Sequence, residues 1–297
     1  MIKRAIYATG LLMALLILTA GCAPVLQSPA PAATTTPIAQ ATSQPPAATQ
    51  PPATPAPEAI GVTPADVSLD GQGLVASWQA VLVPATPFDN MHAPGPSGLP
   101  AHIQVLFDGV SDPREREPGG PVIYIIPVDA YQQLWEENEA SIVSDEMQTI
   151  EAYSNQLPDP RPVRGLPVLP MEETFGVNDF ATQVRQVAGD DASQNGFRFI
   201  GRFAMDAKPL TNEELRYIYQ GITADGRYLV AFFFPVRTDA LPDGMEGVSD
   251  EDAAALREDG LGYLTDKAAM LDALPPGAWE PDLAKLDALI TSLTLGQ

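Results

Sequence analysis

The chain offers few residues of the kinds that do chemistry. It has two histidines, His92 and His102, and one cysteine, Cys22, in 297 residues. Nucleophile–base pairs and most transition-metal sites lean on His or Cys. The sequence has no His-Glu-x-x-His helix, no Gly-x-Ser-x-Gly elbow and no cysteine cluster, and Gly95-Pro96-Ser97-Gly98 has the wrong spacing for an elbow. His92 falls in a Pro/Gly-rich loop and His102 at the start of a strand, where structural roles are the simpler reading. Carboxylates are plentiful, with 38 Asp+Glu against 16 Lys+Arg. Acid–base hydrolysis by two carboxylates about 5–10 Å apart across a cleft is therefore the one catalytic chemistry well supplied in kind. Spacing alone assigns no catalytic, cofactor or metal residue.

Three arginines stand out. Arg198 and Arg202 fall on one face of a strand, with Arg216 on the next strand. Arginine reads carboxylates and phosphates with a planar fork. The three are thus candidate ligand or anion contacts, and in so acidic a chain internal ion pairing is the plainer use. The Asp-Gly pairs at 108, 225, 243 and 259 read as turns. The acidic run from Asp243 to Asp259 lacks the alternating ligand spacing of a calcium loop. Asp250-Glu251-Asp252 instead suits a helix first turn, capped by Ser249.

These residues need elements to hold them. Strands are expected at Val67–Leu69, Leu74–Val83 and His102–Phe107. The continuous apolar run of Pro121–Val128 reads as a central strand buried on both faces. A helix follows, with Asp129 as its cap and Tyr131, Leu134 and Trp135 at helical spacing, and a second covers about 144–156. Residues 157–172 are proline-punctuated loop. Phe197–Met205, Leu215–Ile222 and Arg227–Val236 form an antiparallel meander, its last turn set by Asp225-Gly226. Helices are expected at 250–258, 263–273 and 281–294, the last with Pro281 in its first turn and an apolar stripe from Leu283 to Leu293. Segregated strands and helices predict an α+β fold: a mostly antiparallel sheet with a C-terminal helix packed on one face.

The first 60 residues are of another kind. Lys3-Arg4, the apolar run Leu11–Leu18 and Thr19-Ala20-Gly21-Cys22 form a charged, apolar and small-residue series. This resembles the lipobox signal of bacterial lipoproteins. The resemblance implies removal of residues 1–21 and lipidation of Cys22. Residues 23–60 hold ten prolines and one charge, Glu58. Such a Pro/Ala/Thr-rich segment buries too little apolar surface to order and is expected to be a disordered tether. In polyproline II it reaches roughly 100 Å. The domain organisation expected is thus signal 1–21, tether 22–60 and a single extracytoplasmic domain 61–297.

Without Lys3 and Arg4 the chain keeps 14 Lys+Arg against 38 Asp+Glu, a formal charge of −24. That surface repels nucleic acid. With Cys22 acylated, no disulfide forms within one chain.

The stretch Tyr217–Val230, then Phe234-Pro235-Val236 and Leu241-Pro242, resembles a domain of uncharacterised bacterial lipoproteins. The likeness spans roughly 160–295, with conservative departures at Ile218 and Ile222. It implies a hairpin, alternating aromatics and a proline-ended strand, and no catalytic residue. The expectation is a monomeric, membrane-anchored, non-enzymatic binding or envelope module without a cofactor. Its ligand would be an envelope small molecule, glycan or protein, held on an exposed sheet face or in a groove under 157–172. A carboxylate hydrolase and the solute receptor of a transporter stand as alternatives.

Overall fold

The computed structural model describes residues 61–91, 95–189 and 194–296. The signal, Cys22, the tether and His92 lie outside them. In chain order the strands are β1 (Val67–Ser68), β2 (Trp78–Val83), β3 (Thr86–Asp89), β4 (Ser97–Leu99), β5 (His102–Phe107) and β6 (Val122–Pro127). Helices α1 (Val128–Glu136) and α2 (Ile142–Asn155) follow, then β7 (Val177–Ala188), β8 (Gln194–Ala204), β9 (Arg216–Thr223) and β10 (Tyr228–Pro235). The chain closes with α3 (Asp250–Glu258), α4 (Gly260–Asp272), α5 (Leu283–Thr291) and β11 (Thr294–Leu295).

The fold is α+β as expected. Seven antiparallel strands make one sheet in the order β2-β5-β6-β10-β9-β8-β7. β6 and β10 sit inside the sheet and are buried along most of their lengths, which is why Val122–Ile126 and Leu229–Phe233 carry apolar residues on both faces. Thr223 to Tyr228 turn the chain through Gly226, whose φ of +73° a side chain would oppose.

Helices cover both faces. Tyr131 and Trp135 of α1 and Val143, Met147 and Ile150 of α2 pack on one, with Leu166 and Leu169 from the 157–172 segment. Leu264 and Leu271 of α4 and Leu283, Leu286, Leu289 and Ile290 of α5 pack on the other. Burying each such Leu or Ile stabilises by about 1.5–3 kcal/mol. The C-terminal helix therefore packs on one face as expected, but no sheet face is left open.

Local predictions fail where capping chemistry decides. Asp129 lies in the first turn of α1 behind an N-cap at Pro127. Pro281 precedes α5, whose cap is Asp282, accepting from Ala284 N at 2.8 Å. That helix ends at Thr291, and the apolar pattern continues into β11, which pairs with β1. The strand expected from Leu74 begins only at Trp78. Ser249 caps α3 as expected, accepting from Asp252 N at 3.1 Å.

The stretch 177–188, for which the pattern predicts no element, forms the longest strand. Register shifts between Asn178 and Phe180 and between Thr182 and Arg185 divert its side chains. Phe180 and Val187 reach one core while Ala181 and Val184 reach the other. At the second shift Gln183 adopts φ +55° and donates to the carbonyls of Leu271, Asp272 and Leu274, closing the C-terminus of α4.

Candidate functional site

The three candidate arginines do not converge. Arg198 and Arg202 share a face of β8, but register sets Arg216 opposite Gly201, on the face of Ile218 rather than that of Tyr217. Arg198 is fully buried and donates from Nε to Asp287 Oδ1 at 3.1 Å and from Nη1 to the Gln183 carbonyl. Arg202 grips Asp179 with two bonds of 3.0 and 2.6 Å, and its Nη1 donates to the carbonyls of Lys208 and Pro209, each at 3.0 Å. Arg216 donates to the carbonyls of Glu213 and Leu215 at 3.1 and 3.0 Å. Each guanidinium thus ties the sheet to a covering element: α5, the 206–214 connection, and the turn before β9.

A second polar cluster escaped the sequence reading because its members come from four separated segments. Arg116 Nη2 contacts both Glu173 and, at 3.3 Å, Glu172, while Nη1 donates to the Gly120 carbonyl at 3.2 Å. The Tyr124 phenol lies against Glu173 and its ring stacks on His102 at 5.6 Å. Burial pushes the Glu173 carboxyl above its ordinary range, with Arg116 pulling the other way. A raised carboxyl beside a Tyr and an Arg is what an acid–base site uses. Here the Glu173 side chain is 4% exposed and Glu172 73%, and the two share one guanidinium nitrogen. They do not face each other across a cleft, so the geometry holds the 113–120 loop to the 172–174 turn rather than a substrate.

His102 is buried too. Its Nδ1 lies 2.8 Å from the Pro100 carbonyl and its Nε2 3.2 Å from Gln104 Nε2, a pairing that suits the neutral ring with its proton on Nδ1. Burial lowers its pKa from the ordinary value near 6.5. A depressed folded-state pKa gives stability that is fully present above the unfolded value and is lost as pH falls through the folded one. The thermal midpoint is therefore expected to drop on acidification below about pH 6.5. His102→Gln should flatten that part of a midpoint-versus-pH profile; an unchanged slope would place the titration elsewhere.

The groove expected under 157–172 is closed. Gln220 donates from Nε2 to the Pro167 carbonyl at 2.9 Å and accepts from Leu169 N at 3.1 Å, and Tyr131 donates to the Pro170 carbonyl at 2.5 Å. These bonds press Leu166 and Leu169 into the core.

The open concavity lies elsewhere, at the β9–β10 hairpin. A cavity of about 510 Å³ is bounded by the hairpin, by Gly61-Val62 where the described chain begins, and by Leu293–Gly296 near its end. Val62, Val230, Leu293 and Leu295 supply apolar wall, and Gln194, Thr223, Asp225, Arg227 and Tyr228 supply polar groups. Asp225 is held down to about 2 by the Thr223 hydroxyl (2.7 Å) and the Arg227 amide and guanidinium. Gln194 is buried; its Nε2 donates to the Ile290 carbonyl at 2.6 Å while its Oε1 accepts from no group among the described residues. Gly61 has φ +82°, and a Cβ there would lie 2.8 Å from the Tyr228 hydroxyl, so glycine keeps this wall thin. Only the Asp225-Gly226 turn signal pointed here, because the other walls are distant in sequence.

Among the described residues no group of three or more His, Cys, Asp or Glu is placed to hold a metal ion, and no helix is long and apolar enough to cross a membrane. No protein-family model, no curated protein and no solved structure matches the chain.

Proposed function

We propose that the chain is a lipid-anchored, extracytoplasmic binding module, tethered through Cys22, that takes a small amphipathic ligand in the cavity at the β9–β10 hairpin. The observation that carries this reading is the cavity itself. Its 510 Å³ lies within the range of small-molecule sites, and it sets polar groups around an apolar wall. Burial raises two carboxyls among the described residues, Glu173 in its sealed cluster and Glu146 on α2, and neither lines the cavity, which favours binding over carboxylate hydrolysis. The transporter-receptor alternative needs two lobes with a hinge, whereas seven of the described strands share one sheet and the other four form only two-stranded pairs.

The test is native mass spectrometry of the chain purified from membranes beside its Val62→Trp and Cys22→Ser variants. The wild type is expected to carry a bound molecule of small size. Val62→Trp, which fills the wall, should lose it without losing membrane association. Cys22→Ser should lose membrane association without losing the ligand. A wild type that carries nothing, or a ligand kept by Val62→Trp, would remove the cavity from the account; a Cys22→Ser protein still fractionating with membranes would remove the anchor.

A further inference from the structure

The two edges of the seven-stranded sheet are treated differently. On the β7 edge the register is broken twice, and the 163–166 segment lies along the strand. Ala181 N donates to the Val163 carbonyl at 2.7 Å, Gly165 N to the Asn178 carbonyl at 2.9 Å, and Leu166 N to Asn178 Oδ1 at 3.0 Å. Bulges and a covering segment are how sheets prevent edge-to-edge pairing. The β2 edge has no bulge, and no segment is hydrogen-bonded along it among the described residues. Its six residues, Trp78-Gln79-Ala80-Val81-Leu82-Val83, pair with β5 in unbroken register. They include no charge and no proline. No backbone or side-chain hydrogen bond reaches β2 from outside β5 among the described residues; the Pro64–Asp66 turn rests against it without one.

We propose that the β2 edge is the docking surface for a second copy of this chain, joining two sheets into one of fourteen strands about a two-fold axis. Antiparallel addition of a strand to its own copy is self-complementary and closes at two, because of the two edges of the seven-stranded sheet only β2 lacks a hydrogen-bonded neighbour among the described residues. A two-fold perpendicular to the sheet keeps each face on its own side, so opposed residues share a face and the axis passes at Ala80 or Val81. Charge favours the identical strand as occupant. In a chain of net charge −22, β2 is neutral, so its copy brings no like charge into the seam. Repulsion between the acidic bodies is screened beyond about 8–10 Å at physiological salt.

A seam six residues long sits at the low end of interface size, below the roughly 1,200 Å² of stable complexes. Association in dilute solution is accordingly weak. On the anchoring proposed above, the 38-residue segment 23–60 lets two domains meet, and confinement to one membrane raises their effective concentration. The expectation of a monomer took no account of this edge.

The test uses the full chain with Cys22→Ser, which leaves no other thiol, and adds single cysteines. Across the two-fold, one of Ala80→Cys and Val81→Cys brings its sulfur opposite its own copy, at Cα spacings of about 4.5–5.5 Å that suit a disulfide. Val83→Cys is displaced from its copy by about 13 Å or more in either register. Under mild oxidation one of the first two is expected to give about tenfold more covalent dimer than Val83→Cys. The parent chain should show concentration-dependent dimer by sedimentation, with thermal midpoints checking that each variant is folded. A parent that stays monomeric at several hundred micromolar, cross-linking at Val83 as strong as at the other two, or a monomer that binds an extended peptide at β2 would each overturn the proposal.

Discussion

Asp287→Ala is expected to destabilise the protein by about 3–5 kcal/mol, the cost of leaving a buried charge without its partner. Asp287 Oδ1 accepts from Arg198 Nε and, at 2.9 Å, from the Tyr217 hydroxyl. Removing it strands a guanidinium that is wholly inside the protein and a buried phenol whose hydroxyl has no other partner among the described residues. Burial already pushes that phenol far up, so it stays neutral and cannot offset the loss by ionising. The pair differs from a surface bridge such as Arg114–Asp112, where the arginine is 89% exposed and solvent screens the attraction. A double replacement, Arg198→Met with Asp287→Leu, should recover part of the stability, because the apolar pair removes the desolvated charge along with its partner, while the Tyr217 hydroxyl still lacks its acceptor. Chemical denaturation of the three proteins measures this. A loss below about 1 kcal/mol for Asp287→Ala would mean that Arg198 is solvated in the native state and free to meet a ligand.

That experiment bears on how much of the site the sequence revealed. Arg198 and Arg202 were legible as strand residues on one face, and β8 carries them so. Their partners were not legible. Asp287 is 89 residues away on α5, and Asp179 lies on β7, where Phe180–Val184 are buried without a break rather than in alternation because of its bulges. A period-two search cannot find such a strand. Without β7 the ion pairing expected of Arg198 and Arg202 had no nameable acceptor for Arg202. Arg216 lies on the next strand, as expected, but its face could not be read: a face follows from register, and register depends on the turn between two strands, here a long connection through residues 206–214. The elements that could be read share one property. Apolar runs such as Val122–Ile126, the Asp225-Gly226 turn and the stripe of α5 are local signals. The cavity and the Arg116–Glu173 cluster are each assembled from segments far apart in sequence, and the acidic composition that suggested hydrolysis could not say which carboxylates would meet.

A pair of glycines shows the same dependence on register, and it supports the second large effect. Gly196 of β8 stands directly opposite Gly221 of β9. Both are buried on the sheet face where Tyr219 lies, and the Tyr219 ring rests across them. A Cβ on Gly196 would meet the Tyr219 ring at 2.6 Å; one on Gly221 would meet it at 2.8 Å and the Asn195 carbonyl at 2.7 Å. Neither glycine is needed for a positive φ; both are needed for space. Gly221→Val is therefore expected to cost about 3 kcal/mol or more, the upper end for overpacking, since a backbone carbonyl cannot swing aside as a flexible side chain can. Gly226→Ala makes the comparison informative. Nothing lies within 4 Å of its added Cβ, so its cost is the backbone strain at φ +73° alone, about 1 kcal/mol. In Tyr219→Ala the ring is gone but the Asn195 carbonyl remains. A double-mutant cycle with Gly221→Ala should then return a coupling of about 1 kcal/mol and leave a residual penalty. A coupling of zero would mean that the ring bears none of the contact, and that the two strands alone determine why position 221 is glycine.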